Sequence, residues 1–142
     1  MNVKNVTSCL IIQRRIRSDL EVNAYLRSLL KKIYRDLDSI GINMRLPLIL
    51  RSYSKRRWGY YDILKDEIVI YVFSDPTCSR LTHYNILFRI ILHEYVHALQ
   101  HKSSNWRRYK GIMHDVEFWQ IYNNLVNLAV ERGIIYGRKC AA

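Results

Sequence analysis

The chain is poor in the residues that cross-link or interrupt a fold, with three cysteines and two prolines among 142 residues. Cys9, Cys78 and Cys140 are widely separated and form no CxxC pair, which argues against a disulfide framework and against a thiolate zinc site. No apolar run approaches the roughly 20 residues of a membrane-spanning helix, and the apolar segment 9–12 is too short for a signal-peptide core. The sequence therefore predicts an intracellular protein that is neither secreted nor embedded in a membrane.

Acidic residues are scarce relative to basic ones. Lysine and arginine total 23 against 12 aspartate and glutamate, which gives a net charge of +11. Such an excess attracts anionic partners, nucleic acid first among them, although a basic surface can also serve only solubility. The length and the hydrophobic fraction of 49% are typical of one folded unit, so we expect a single domain over residues 1–142.

The first predicted helix begins at a capping box formed by Ser18 and Glu21 and ends at Gly41. Its apolar residues recur at spacings of three and four and form one stripe, which comprises Val22, Leu26, Leu29, Ile33, Leu37 and Ile40. Its basic residues lie largely away from that stripe, and a face of this kind is more often solvated than functional. These residues are Arg27, Lys31, Lys32 and Arg35.

Three extended segments and two more helices follow. Residues 43–53 are apolar and extended in character and predict a strand, in which Pro47 indicates an edge position or a break because it cannot donate to a strand ladder. The aromatic and β-branched segments 57–62 and 67–73 predict a hairpin. Helices are expected over 81–101 and from His114 or Asp115 to Gly133, which makes the fold class α+β.

His93, Glu94 and His97 form an H-E-x-x-H motif inside the apolar helical run IILHEYVHALQ. Helical residues four apart are turned about 40° from each other and lie about 6 Å apart along the axis, so both imidazoles can reach one metal ion. Glu94 projects in an adjacent direction, where it can act on a water as a general base. This donor set suits one catalytic zinc ion per chain.

A third ligand must come from another element, and two residues at the start of the last helix qualify. His114 and Glu117 are three positions apart and share a helix face, so the spacing leaves both open. His101 continues the row of His93 and His97, but one turn too far along the helix. We interpret it as a surface or loop-anchoring residue.

The segment HEYVHALQH, followed by a loop and HDVEFW, resembles the SprT-like metalloproteases, including the Spartan and WLM-type proteases of DNA–protein crosslinks. Their motif helix is followed by H-[GD]-x-x-F-[WK]. The upstream RRWGYYDILKDEIVIYVF is similar to the strand pair of that family, and the resemblance covers about residues 50–125. It implies a zincin-like minimal protease core in which His93, His97 and His114 bind zinc and Glu94 is the catalytic acid and base.

The resemblance further implies a zinc-dependent endopeptidase that acts on DNA-associated or DNA-crosslinked proteins. Within this interpretation, the strand Glu67–Phe73 is expected at the edge of the cleft, where it would pair with an extended peptide. The oxyanion-stabilising residue is expected among Tyr60, Tyr61, Arg108 and Tyr109.

Two basic and aromatic clusters flank the motif and bear on the partner. Cationic side chains suit phosphates and exposed aromatic rings stack on unpaired bases, which predicts binding to single-stranded or junction DNA. The alternative is that the tryptophans anchor the core or a loop. The residues are Lys55, Arg56, Arg57 and Trp58 before the hairpin, and Trp106, Arg107, Arg108 and Lys110 after the motif helix.

Two other functions stay open at this point. HEYVHALQH also resembles the motif helix of ImmA-like peptidases, which cleave a repressor, and Glu117 as third ligand would favour that family. The other alternative is a nucleic-acid-binding module that holds zinc without proteolysis.

Overall fold

The computed structural model describes residues 19–77, 80–103 and 114–137. These residues form three helices and a small mixed sheet, so the expected α+β class is confirmed. Ser18 of the capping box lies outside the described residues. The elements are α1 (Asp19–Ser39), β1 (Leu48–Arg51), β2 (Gly59–Asp62), β3 (Glu67–Tyr71), α2 (Tyr84–Lys102) and α3 (Val116–Glu131).

The sheet has the strand order β1-β3-β2, with β1 parallel and β2 antiparallel to β3. The hairpin is confirmed, and so is the edge position of the strand that follows Pro47. The expectation that Glu67–Phe73 forms the edge of the cleft is wrong, because β3 is the central strand and pairs on both sides. Its continuous buried run Ile68, Val69 and Ile70 is typical of a central strand. The edge strand of the hairpin is β2.

The helix ends follow local chemistry. Gly41 and Gly133 have φ of 86° and 72°, the left-handed conformation that ends α1 and α3 where predicted. The motif helix begins at Tyr84, three residues later than expected, because Leu81 pairs with Phe73 in an isolated β-bridge. Asp115 caps the N-terminus of α3, which leaves His114 just outside that helix.

The core lies between α1, the sheet, α2 and one face of α3, from which Val126 and Ala129 are buried. Leu26, Ile33 and Leu37 of the predicted stripe are buried there, whereas the four basic residues of α1 are exposed as expected. Tyr95 of α2 is fully buried, and this burial raises its pKa to about 12. None of the described helices is long and apolar enough to cross a membrane.

Candidate metal centre and cleft

Three histidines from two elements converge beside α2. His93 and His97 lie one turn apart on α2, and His114 precedes α3. The three ring centroids are 4.9 Å apart in every pair, so they form an equilateral triangle. Each histidine offers one ligand nitrogen within 4.8 Å of the others, which is close enough to hold a metal ion.

The nitrogens of His97 and His114 are separated by nearly the distance expected for two ligands of one metal ion. Two nitrogens on one zinc ion, each at 2.0–2.1 Å, are about 3.4 Å apart. His97 Nε2 and His114 Nε2 are 3.1 Å apart, a few tenths of an ångström shorter. Burial, and then the neighbouring His93, lower the pKa of His114, which favours the neutral imidazole that binds metals.

Glu117 and His101 do not belong to this triangle. Neither residue is part of the group of potential ligands that His93, His97 and His114 form within the described part of the chain. The ring of His101 instead lies 6.2 Å from that of Tyr61, at the rim of the cleft. The geometry therefore selects His114 over Glu117 as the third donor and agrees with the surface position expected for His101.

Glu94 lies beside the triangle and is 6% exposed. Its Oε1 is 3.0 Å from His93 Nδ1. Donation from His93 requires the tautomer with the proton on Nδ1, which leaves the Nε2 lone pair for a metal. A carboxylate has about four acceptor positions, so Glu94 can accept a further donor from within the cleft.

Two aromatic residues, Phe118 and Trp119, pack against the histidines. The sequence analysis did not assign them this role. Phe118 is fully buried, and its ring centroid lies 4.9, 4.7 and 4.8 Å from those of His93, His97 and His114. Trp119 lies 5.8 Å from His114. These aromatic residues are the last two letters of HDVEFW. The sequence feature that could have predicted their contact with the histidines is this aromatic pair one turn after His114.

A hydrogen-bonded link between α2 and α3 was also missed. Asp115 Oδ1 accepts the Phe118 backbone N–H at 2.8 Å and the Gln100 side-chain amide at 3.2 Å. The bond from the Phe118 N–H and then that from Gln100 lower the pKa of Asp115, so the carboxylate is charged at neutral pH. An aspartate before an apolar helical run signals an N-cap, but nothing in the sequence pairs it with Gln100.

The cleft extends to both sides of Glu94, with β2 as its opposite wall. One cavity of about 310 Å³ contains the three histidines, Tyr60 and Tyr61. A second of about 430 Å³ lies beyond Glu94, with an apolar lining that includes Trp58, Ile86, Ile90 and Tyr122. Gly59, His93 and Glu94 border both cavities.

Gly59 allows the close approach of β2 to α2. A Cβ at this position would lie 2.8 Å from the Val69 carbonyl oxygen and 3.2 Å from Ile90 Cγ2. A side chain here would push β2 away from β3 or from α2. Glycine is thus required where the cleft wall passes the metal centre.

The hydroxyl groups of the two described candidates for oxyanion stabilisation already have hydrogen-bond partners within the sheet and its hairpin turn. The Tyr60 hydroxyl accepts from Arg51 at 3.3 Å, and the Tyr61 hydroxyl donates to Asp66 at 2.5 Å. Burial, and then the bond to Asp66, raise the pKa of Tyr61 well above its usual value. Arg108 and Tyr109 lie outside the described residues, and the oxyanion-stabilising residue stays a prediction.

The first basic and aromatic cluster is on the surface. Lys55, Arg56 and Arg57 are exposed, and Trp58 is 65% exposed, so Trp58 is not a core anchor. Arg57 and Trp58 border a cavity of about 350 Å³ that also contains Arg80. The second cluster lies outside the described residues and comprises Trp106, Arg107, Arg108 and Lys110.

Comparison with protein-family models, with curated proteins and with solved structures finds no match to this chain. The likeness to SprT-like proteases therefore stays a prediction from the motif residues. The histidine triangle, Glu94 and the cleft are the observations on which a function can be argued.

Proposed function

We propose that this chain is a zinc-dependent endopeptidase with a zincin-like core. The observation that carries the proposal is the equilateral histidine triangle with Glu94 beside it, in a cleft bordered by an edge strand. Three imidazoles with an accessible fourth direction are typical of catalytic zinc sites, whereas structural zinc sites are usually closed and rich in cysteine.

The roles of the residues follow from their positions. His93, His97 and His114 would hold zinc, which lowers the pKa of a water towards about 7 and polarises a peptide carbonyl. Glu94 would accept the proton of the attacking water and then deliver it to the leaving amine. Its near-complete burial and its contact with His93 keep the carboxylate at the border of both cavities.

The substrate would be an extended peptide that pairs with β2. This strand is the edge of the sheet, so one row of its backbone donors and acceptors is not used by β3. The cleft continues to both sides of Glu94, which suits cleavage within a chain better than removal of a terminal residue. We assign peptide binding to Gly59–Asp62 in place of the central strand.

The test measures zinc content and hydrolysis of an unstructured protein, such as casein, on the same preparations. The zinc-loaded chain should cleave casein, and chelation should stop the cleavage. Glu94→Gln should retain zinc and lose about 10²–10⁴-fold in kcat, because glutamine has nearly the same shape but accepts no proton. Equal activity of this variant would reject the mechanism.

Single-stranded DNA is the proposed partner, and the substrates would then be proteins bound or crosslinked to it. The supporting observation is that Trp58 is exposed between the apolar half of the cleft and the cavity that holds Arg57 and Arg80. A base stacked on Trp58 would place its phosphates near these guanidinium groups.

Binding of an oligothymidine at several salt concentrations tests the DNA partner. Trp58→Ala should weaken binding, and Arg57→Ala should flatten the dependence of log affinity on log salt by about one unit. Arg132→Ala removes an exposed charge at the end of α3 and is the matched control. If the protein binds zinc and DNA but hydrolyses no protein, the non-proteolytic module becomes the better account. The ImmA-like alternative gains no support from Glu117, which is exposed.

A further inference from the structure

A further cavity, separate from both halves of the cleft, lies between α1 and the segment that leads from β3 into α2. Its volume is about 470 Å³, and it shares no lining residue with either half of the catalytic cleft. Three cations of the basic face of α1 border it: Lys31, Lys32 and Arg35. These residues are exposed as expected, but this part of the face also borders a partly open space of ligand size.

The lining of this cavity carries an excess of positive charge. None of its lining residues is acidic, and within the described part of the chain none of the three cations takes part in an ion pair. Lys32 Nζ lies 4.0 Å from the ring centroid of Tyr84, so an aromatic face positions it. Asp36 does not line the cavity, but its carboxylate lies beside the wall, where it accepts the Tyr84 hydroxyl at 2.6 Å and offsets part of this charge.

The rest of the cavity is mainly apolar. Its apolar lining includes Leu29 of α1 together with Val72 and Leu87, and Thr82 adds a hydroxyl. A small inorganic anion would leave this surface uncovered, whereas a purely apolar ligand would leave the cations unmatched. The combination fits one compact multivalent anionic group attached to an apolar body.

We propose that this cavity binds an organic phosphate, a phosphate monoester with an apolar or aromatic body. A phosphate monoester carries close to two charges on one compact group at neutral pH, which matches several cations on one cavity better than a single carboxylate does. The cations and the apolar residues border the same partly open cavity, which suits a compact ligand with an apolar body better than a polymer whose charges repeat along a strand.

Calorimetric titration with phenyl phosphate and with inorganic phosphate tests this site. Phenyl phosphate should bind at least about fivefold more tightly, because only its ring covers the apolar floor. The double variant Lys31→Ala, Arg35→Ala should weaken phenyl phosphate binding by about fivefold or more. Arg27→Ala, an exposed cation of the same helix that does not line the cavity, should leave the affinity unchanged.

Removal of zinc by chelation separates this site from the metal centre, and the affinity for phenyl phosphate should persist. Loss of binding on chelation would place the ligand on the metal and overturn the proposal. Equal binding of the two phosphates, or equal weakening by Arg27→Ala, would also overturn it. If an oligothymidine displaces phenyl phosphate, and its own affinity falls in the same double variant, the cavity is part of a nucleic-acid surface and the organic-phosphate proposal is overturned.

Discussion

Gln100 Nε2 donates a hydrogen bond to Asp115 Oδ1 over 3.2 Å, and this bond joins the helix of His93 and His97 to the residue next to His114. Gln100 is 3% exposed, so water competes little for the bond. The same Asp115 oxygen caps α3. The Asp115 carboxylate thus sets both the start of α3 and its distance from α2. Because Gln100 holds this carboxylate, Gln100 is a positioning residue for His114, the third potential metal ligand.

Gln100→Ala should weaken zinc binding by about 10–100-fold, the usual cost of losing a group that orients a ligand. Competition with a chromophoric chelator measures this affinity. His101→Ala, the next residue on the same helix, is the exposed control and should bind zinc as the wild type does. Asp115→Ser should also weaken binding, because serine still caps α3 but is too short to reach Gln100. Unchanged zinc affinity in both Gln100→Ala and Asp115→Ser would show that the link does not position His114.

His114→Ala should strip zinc from the protein, because two histidines on one helix turn make an incomplete site. Glu117→Gln should leave zinc bound at full stoichiometry, since Glu117 lies outside the triangle. Elemental analysis after gel filtration measures the zinc content of both variants. The reverse result would move the third ligand to Glu117.

Gly59→Ala should destabilise the fold by about 1–3 kcal/mol, the usual cost of overpacking, because the new methyl group meets the Val69 carbonyl oxygen. Urea unfolding measures the free energy, and casein cleavage measures the effect on the cleft wall. Gly133→Ala is the matched control. It strains a residue with φ of 72° but meets no atom within 4 Å, so it should lose stability without changing the catalytic rate of the folded protein.

Asp66 should make stability depend on pH at the acidic end. It accepts hydrogen bonds from Lys102 at 2.8 Å and from Tyr61 at 2.5 Å, and these bonds, that from Lys102 first, lower its pKa below 3.8. A carboxyl whose pKa is lower in the folded state than in the unfolded state stabilises the fold. This stability is fully present above the unfolded-state pKa and is lost as the pH falls through the folded-state pKa.

Asp66→Asn should therefore cost up to about 1 kcal/mol at pH 7, and the difference from wild type should shrink as the pH falls below 4. Asparagine tolerates the φ of 53° at this turn, so the change adds little backbone strain. Urea unfolding at pH 7 and pH 3 measures both values. A double-mutant cycle with Lys102→Met isolates the pair, and a difference that grows towards low pH would contradict the assignment.

Much of the secondary structure and half of the metal centre could be predicted from local patterns. The apolar stripe of α1, the hairpin and the glycines that end α1 and α3 depend on neighbours within a few residues. The pairing of His93 with His97 is also local, because it needs only one turn of helix. Helical geometry alone therefore brings these two imidazoles together.

The remaining features depend on contacts between residues far apart in the chain. His114 and Glu117 have equivalent helical spacing, and only the packing of α3 against α2 turns His114 towards His97. The central position of β3 could not be read from its own residues, because a buried run does not reveal which strands pair with it. The bond from Gln100 to Asp115 and the contacts of Phe118 with all three histidines arise in the same way. The geometry of the helix determined which side chains lie on the same helical turn. The burial of apolar faces against one another determined which helices and strands come into contact.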